Sequence, residues 1–157
     1  MKEFLTTHTI LFKENMPLSK LTGMNIQGTL PVVAYPDSIS KLSELYLFVI
    51  SKKYSYDVLG GLSNTYLSNN YYRDIVIITT RVRDLNRRGD GNFRVGCGYN
   101  LTKLSKEFSN QGISGYEGFI GIPGTVGAAA INNSGAFNSS MSKVVRDIEV
   151  LTIGGVF

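Results

Sequence analysis

The sequence predicts a mixed fold of short strands and helices, in one domain or two closely joined lobes. Three observations predict it. Apolar residues recur at helical spacing in two stretches, and continuous apolar runs read as strands in others. Two Gly-rich turns sit beside those runs, where strands hand over to helices.

Taken in order, Met1 to Gly28 is mixed and weakly patterned. It reads as a lead-in, to about residue 30, with one short helix. The main domain follows over 31–157. Pro31-Val-Val-Ala-Tyr35 is a short apolar strand. Asp37 or Ser38 can cap the next helix, in which Ile39, Leu42, Leu45, Tyr46, Val49 and Ile50 form one buried stripe. Tyr56-Asp-Val-Leu59 is a strand that delivers the first Gly-rich turn. Asp74-Ile-Val-Ile-Ile-Thr79 is apolar without a break, as in a strand covered on both faces.

Asp90-Gly91 marks a hairpin turn after the arginine-rich stretch Arg81 to Arg88, and Phe93-Arg-Val-Gly-Cys97 is its return strand. The arginines read as a solvated hairpin tip, and Tyr71 and Tyr72 as packing. Leu101, Leu104 and Phe108 lie at helical spacing, so Asn100 or Thr102 opens a helix that ends near Gly112. Ser142 to Arg146 is a connector. Asp147-Ile-Glu-Val-Leu-Thr-Ile153 alternates like a half-buried strand, and Gly154-Gly155 is a turn.

The stretch from Gly115 to Gly135 holds six of the chain's 17 glycines, a density suited to turns and close backbone approach. Within it, Pro123 fixes φ and forces Ile122 into an extended conformation. The small residues from Thr125 to Ile131 then begin a helix. A Gly-rich turn entering a helix offers free N–H groups to an anion, with help expected from the helix dipole. Leu59-Gly-Gly-Leu-Ser-Asn64 is a second such turn. Two cradles suit a diphosphate held mostly by main-chain amides, with Ser63, Asn64 and Thr125 adding side-chain donors.

These residues carry a resemblance. Gly60-Gly-Leu-Ser-Asn64 resembles the Gly-Gly-Gly-Ser-Asn loop of the UDP-N-acetylenolpyruvoylglucosamine reductase (UDP-N-acetylmuramate dehydrogenase) family. Gly121-Ile-Pro-Gly-Thr-Val-Gly-Ala128 resembles that family's second diphosphate loop, and Asn133-Ser-Gly-Ala-Phe137 its Asn-Ala-Gly-Ala-Tyr stretch. Pro17-Leu-Ser-Lys-Leu-Thr22 is similar to its opening segment. The match in order and spacing runs from about Asn15 to Gly155.

The resemblance implies an α+β FAD-binding domain of the vanillyl-alcohol-oxidase (PCMH) type, built as two small α/β lobes, the first over about 31–80 and the second over about 81–157. It assigns FAD contacts to Leu59, Gly60, Gly61, Leu62, Ser63 and Asn64 of the first loop. In the second stretch it assigns them to Gly121, Ile122, Pro123, Gly124, Thr125, Gly127, Ala128 and Asn133. In that family NADPH reduces the flavin, which then reduces the enolpyruvyl group of a UDP-sugar for peptidoglycan synthesis in the cytoplasm. The family's catalytic serine, arginine and late glutamate belong to a C-terminal substrate domain expected to be absent from this chain. No residue here takes their roles, and Glu117 is read as supporting its loop. Leu62 stands where the family has a third glycine, so a positive φ there would strain it. A second reading is a non-catalytic relative on the same fold, binding a nucleotide or nothing.

Composition narrows the classes. The chain has 157 residues, 43% hydrophobic and 18% charged, which is globular rather than disordered. A net charge of +4 favours an anionic ligand only weakly and gives no cause to expect nucleic acid. Cys97 is the sole cysteine and His8 the sole histidine, which argues against disulfides, a zinc site and a histidine triad. It also argues against an oxidase that attaches flavin through a histidine. No signal peptide and no membrane span are expected.

Overall fold

The computed structural model describes residues 1–156. Its centre is a four-stranded sheet in the order β1-β2-β4-β3, made of β1 (Leu11–Pro17), β2 (Thr29–Tyr35), β3 (Tyr56–Leu59) and β4 (Ile75–Ile78). β4 pairs in parallel with both β2 and β3, and β1 runs antiparallel along the β2 edge. All four residues of β4 are buried, as its unbroken apolar run predicts.

The two faces of β4 feed different cores. Ile75 and Ile77 pack with Leu5, Val32, Leu42, Leu45 and Val49. Val76 and Ile78 pack on the other face with Met16, Leu18, Leu30, Val33 and Leu67. The first core is closed by α1 (Lys2–Thr7) and by α3 (Ile39–Ser51), whose stripe buries Leu42, Leu45 and Val49. Each such side chain contributes roughly 1.5–3 kcal/mol by leaving water. Ser38 caps α3 by accepting the Lys41 N–H at 3.2 Å.

The second half is built on a hairpin and short helices. β5 (Leu85–Arg87) and β6 (Phe93–Val95) pair antiparallel around a 3₁₀ turn at Gly89–Gly91. α4 (Leu101–Asn110) follows, then a 3₁₀ turn at Glu117–Phe119, α5 (Val126–Ile131) and α6 (Met141–Val144). Leu104 and Phe108 of α4 are buried with Tyr99, and Leu101 with Phe119, Ala129 and Met141. Asn100 caps α4 by accepting the Lys103 N–H at 2.8 Å. Asn100→Ala is expected to cost about 1 kcal/mol, read as a lower urea midpoint at unchanged m.

Two expectations from sequence are corrected here. The opening 28 residues are not a lead-in with one helix: they hold α1, β1 and also α2 (Leu18–Thr22). β1 escaped notice because it is an edge strand, mostly exposed and carrying Lys13 and Glu14, so it lacks a clean alternation. At the other end, the strand expected over Asp147–Ile153 shrinks to β7 (Leu151–Thr152), paired with β8 (Gly155–Val156). Ile148, Val150 and Ile153 are exposed. Alternation makes a strand only where a neighbouring edge accepts it, and β8 supplies two residues of edge.

Candidate functional site

The two Gly-rich loops, about 60 residues apart in the chain, lie against each other. β4 fixes the first of them. At the end of the ladder Thr79 donates to the Leu59 carbonyl through its N–H at 2.9 Å and through its hydroxyl at 3.2 Å. Beyond that point the amides of Gly60, Gly61, Leu62, Ser63 and Asn64 find no acceptor among the described residues.

The second loop is held by its carbonyls. Leu101 N–H donates to the Gly124 carbonyl at 3.1 Å, and the Thr102 hydroxyl donates to the Ile122 carbonyl at 3.0 Å. Both donors belong to the first turn of α4. The acceptors of the loop are therefore turned toward the protein. The amides of Gly121, Gly124, Thr125 and Ala128 are left without acceptors among the described residues.

Contact between the loops is close. A Cβ placed on Gly60 would come within 2.7 Å of Thr125 Oγ1, and one on Gly124 within 3.1 Å of Ser63 Oγ. Gly124 also sits at φ 127°, a conformation strained for any side chain. Thr125 is 5% exposed, and its hydroxyl has no hydrogen-bond partner among the described residues. Such an orphan costs roughly 1–3 kcal/mol if nothing completes it. An orphan hydroxyl on a seam of unused amides, in loops without an ionisable side chain, is a set of donors with no acceptors of its own, able to take an anion.

The helix-dipole part of the sequence expectation is corrected. α5 is six residues long, and its Val126 and Gly127 amides are consumed by the Tyr99 and Cys97 carbonyls at 2.9 and 2.8 Å. The donors come from the loops and from Ala128, and a dipole this short adds little.

Asn133 stands beyond the far end of α5, at φ 46°, with its Oδ1 accepting the Ser142 N–H at 2.9 Å. Glu117 accepts the Gly115 N–H at 2.8 Å, which is the loop-supporting role read from sequence. Tyr71 bonds Asp57, and both burial and that carboxylate push its phenol up. Tyr72 is exposed and reaches Asp74 at 3.2 Å. Cys97 packs beside the first core, and burial pushes its thiol up.

Beside the first loop lies a cleft of about 650 Å³, within the roughly 300–1,000 Å³ of small-molecule sites. Lys13, Lys20, Tyr35 and Thr80 line it together with Gly60, Gly61 and Leu62. Burial pushes the Tyr35 phenol up. Sequence reasoning missed the first, third and fourth of these residues: Lys13 lies on β1, Tyr35 at the end of β2 and Thr80 just beyond β4, and only the order of strands in the sheet sets them beside the loop. Lys20 had one signal, its place in the opening segment. Among the described residues no cluster of three or more His, Cys, Asp or Glu could hold a metal ion, and no helix is long and apolar enough to cross a membrane.

Comparison with known proteins gives a consistent picture. The FAD binding domain family matches residues 30–156. UDP-N-acetylenolpyruvoylglucosamine reductase of Caldicellulosiruptor bescii is 30% identical over 149 residues, 94% of this chain and 47% of that protein. The enzyme of the same name from Lactiplantibacillus plantarum is 32% identical over 155 residues, 98% of this chain and 51% of its own length. The chain thus spans about half the length of the curated relatives it matches. The crystal structure of UDP-N-acetylenolpyruvylglucosamine reductase from Thermus caldophilus superposes with a TM-score of 0.68 at 24% identity, covering 94% of this chain and 51% of that one. Alkyldihydroxyacetonephosphate synthase superposes at 0.62 and 13% identity, covering 84% of this chain and 26% of that one. The fold is the α+β architecture of the PCMH-type FAD-binding oxidoreductases.

Proposed function

Since the chain belongs to the FAD binding domain family over residues 30–156, we propose that its two converging loops grip the diphosphate of FAD. The observation that carries this reading is the seam itself: unused amides from Gly60–Asn64 and Gly121–Ala128 around the unsatisfied hydroxyl of Thr125. Ser63 and Thr125 would add hydroxyl donors, and Asn64 an amide. Leu59 would fix the loop's base through its bond to Thr79. Asn133, further off, would brace the segment after α5 through Ser142.

Bound flavin would supply hydride transfer to the enolpyruvyl group of a UDP-sugar, the substrate in the relatives' name, with NADPH as the reductant that the family resemblance implies. The role of this chain is to bind and orient the cofactor. The serine, arginine and glutamate that the resemblance makes catalytic have no counterpart in its matched loops, so turnover would need a further substrate-binding part. Peptidoglycan precursor synthesis from a UDP-sugar places the protein in the cytoplasm on this reading. We further assign the lobe boundary to about residue 80, where β4 ends and the hairpin begins.

Purified chain is expected to be yellow, or to take up added FAD, with absorption near ~450 nm. A preparation that stays colourless after FAD is added would favour the second reading, a non-catalytic relative on this fold. Thr125→Val separates the two more finely. Removing an orphan hydroxyl should stabilise the apoprotein by about 1 kcal/mol while weakening FAD severalfold. Calorimetric melts with and without FAD would read both effects. A variant that loses stability without ligand would mean the hydroxyl is already satisfied.

A further inference from the structure

The geometry points to Leu62 as the residue that holds the first loop in its donor-presenting shape, a positioning role that rests on reading the loops as a diphosphate seat. Leu62 has φ 61°, in the left-handed region that leucine adopts only when its surroundings impose it. The second loop is fixed through its carbonyls, by Leu101 and Thr102. The first is braced in this way only at its base, where Thr79 donates to the Leu59 carbonyl; no carbonyl from Gly60 to Asn64 accepts a hydrogen bond among the described residues. From Gly60 to Asn64 no amide finds an acceptor among the described residues, so hydrogen bonds from these N–H groups do not set the loop's course.

What remains is the side chain. Leu62 is half-buried and packs against the second core, the cluster that includes Met16, Leu18, Leu30 and Ile78. The next firm attachments come well downstream. Leu67 is buried, and the Asn70 N–H donates to the Gln27 carbonyl at 2.9 Å. Leucine in place of the third glycine therefore exchanges an unstrained loop for an anchored one. The strain of the backbone is held by burial of the side chain, and the amides around it stay aimed outward before any ligand arrives. The same side chain walls the adjoining cleft.

Three variants of the intact chain test this. Leu62→Ala keeps the strained backbone and removes the anchor, whereas Leu62→Gly removes both. Each is expected to bind FAD about tenfold more weakly, because the loop must then be ordered on binding. Each should also speed ligand-free hydrogen exchange over residues 60–71, read at the bonded Asn70 and Tyr71 amides. Leu62→Met keeps an apolar anchor of similar volume and should bind within about threefold of the parent. If Leu62→Gly binds FAD as tightly as the parent with unchanged exchange, Leu62 is merely tolerated and the proposal fails. It fails equally if the methionine variant loses as much affinity as the alanine one. Should the parent bind no FAD, the diphosphate reading falls by itself. The exchange rates then still decide the anchor: faster exchange in Leu62→Ala upholds it and unchanged exchange overturns it.

Discussion

Replacing Gly124 by aspartate is expected to weaken FAD binding by on the order of a hundredfold, through two roughly equal causes. The first is conformational. Gly124 has φ 127°, so any side chain there is strained, and its Cβ would press to 3.1 Å from Ser63 Oγ. The second is electrostatic, since a carboxylate would stand among amides that otherwise face phosphate oxygens. Gly124→Ala carries only the first cause and should lose about tenfold. The comparison is a fluorescence titration of FAD into the three proteins. Equal affinities for the aspartate and alanine variants would mean that the diphosphate is not seated beside Gly124.

Gly60→Val should have the larger effect on the protein itself. A Cβ at this position meets Thr125 Oγ1 at 2.7 Å and the Ala128 side chain at 3.4 Å. Valine adds two further methyl groups on a stiff χ1, in a seam whose Thr125 is buried. Overpacking of this kind typically costs about 1–3 kcal/mol, or several degrees of Tm in a chain of this size. FAD affinity should fall with it, because the loops would part. A melt unchanged by the substitution, checked by calorimetry, would show that the loops do not bear on one another in solution.

Much of the fold was legible from local pattern. The α3 stripe, the unbroken apolar run of β4 and the Asp90-Gly91 turn each specify their element without help from elsewhere. The two loops were legible as turns, and Leu62 as a residue that positive φ would strain. Other features were not. β1 takes its strand form from six pairs with β2 that its own exposed, charged sequence does not announce. The Asp147–Ile153 run failed in the opposite sense: its alternation was real, but β8 offers it only two residues of edge. In the site, sequence named the amide-rich turns but could not say which way their carbonyls face. That depends on Leu101 and Thr102 of α4, some 20 positions earlier in the chain. It also could not foresee that Val126 and Gly127 spend their amides on Tyr99 and Cys97, which removes the start of α5 from the donor set.

The turning of the second loop's carbonyls toward α4 has a consequence for how such a grip behaves. Neither loop contributes a formal charge, so attraction comes from fixed dipoles at short range rather than from ions acting at a distance. Affinity for a pyrophosphate held this way should vary little with ionic strength, and little with pH across the neutral range. Selectivity then lies in shape: a ligand is accepted for the spacing of its oxygens rather than for the number of its negative charges.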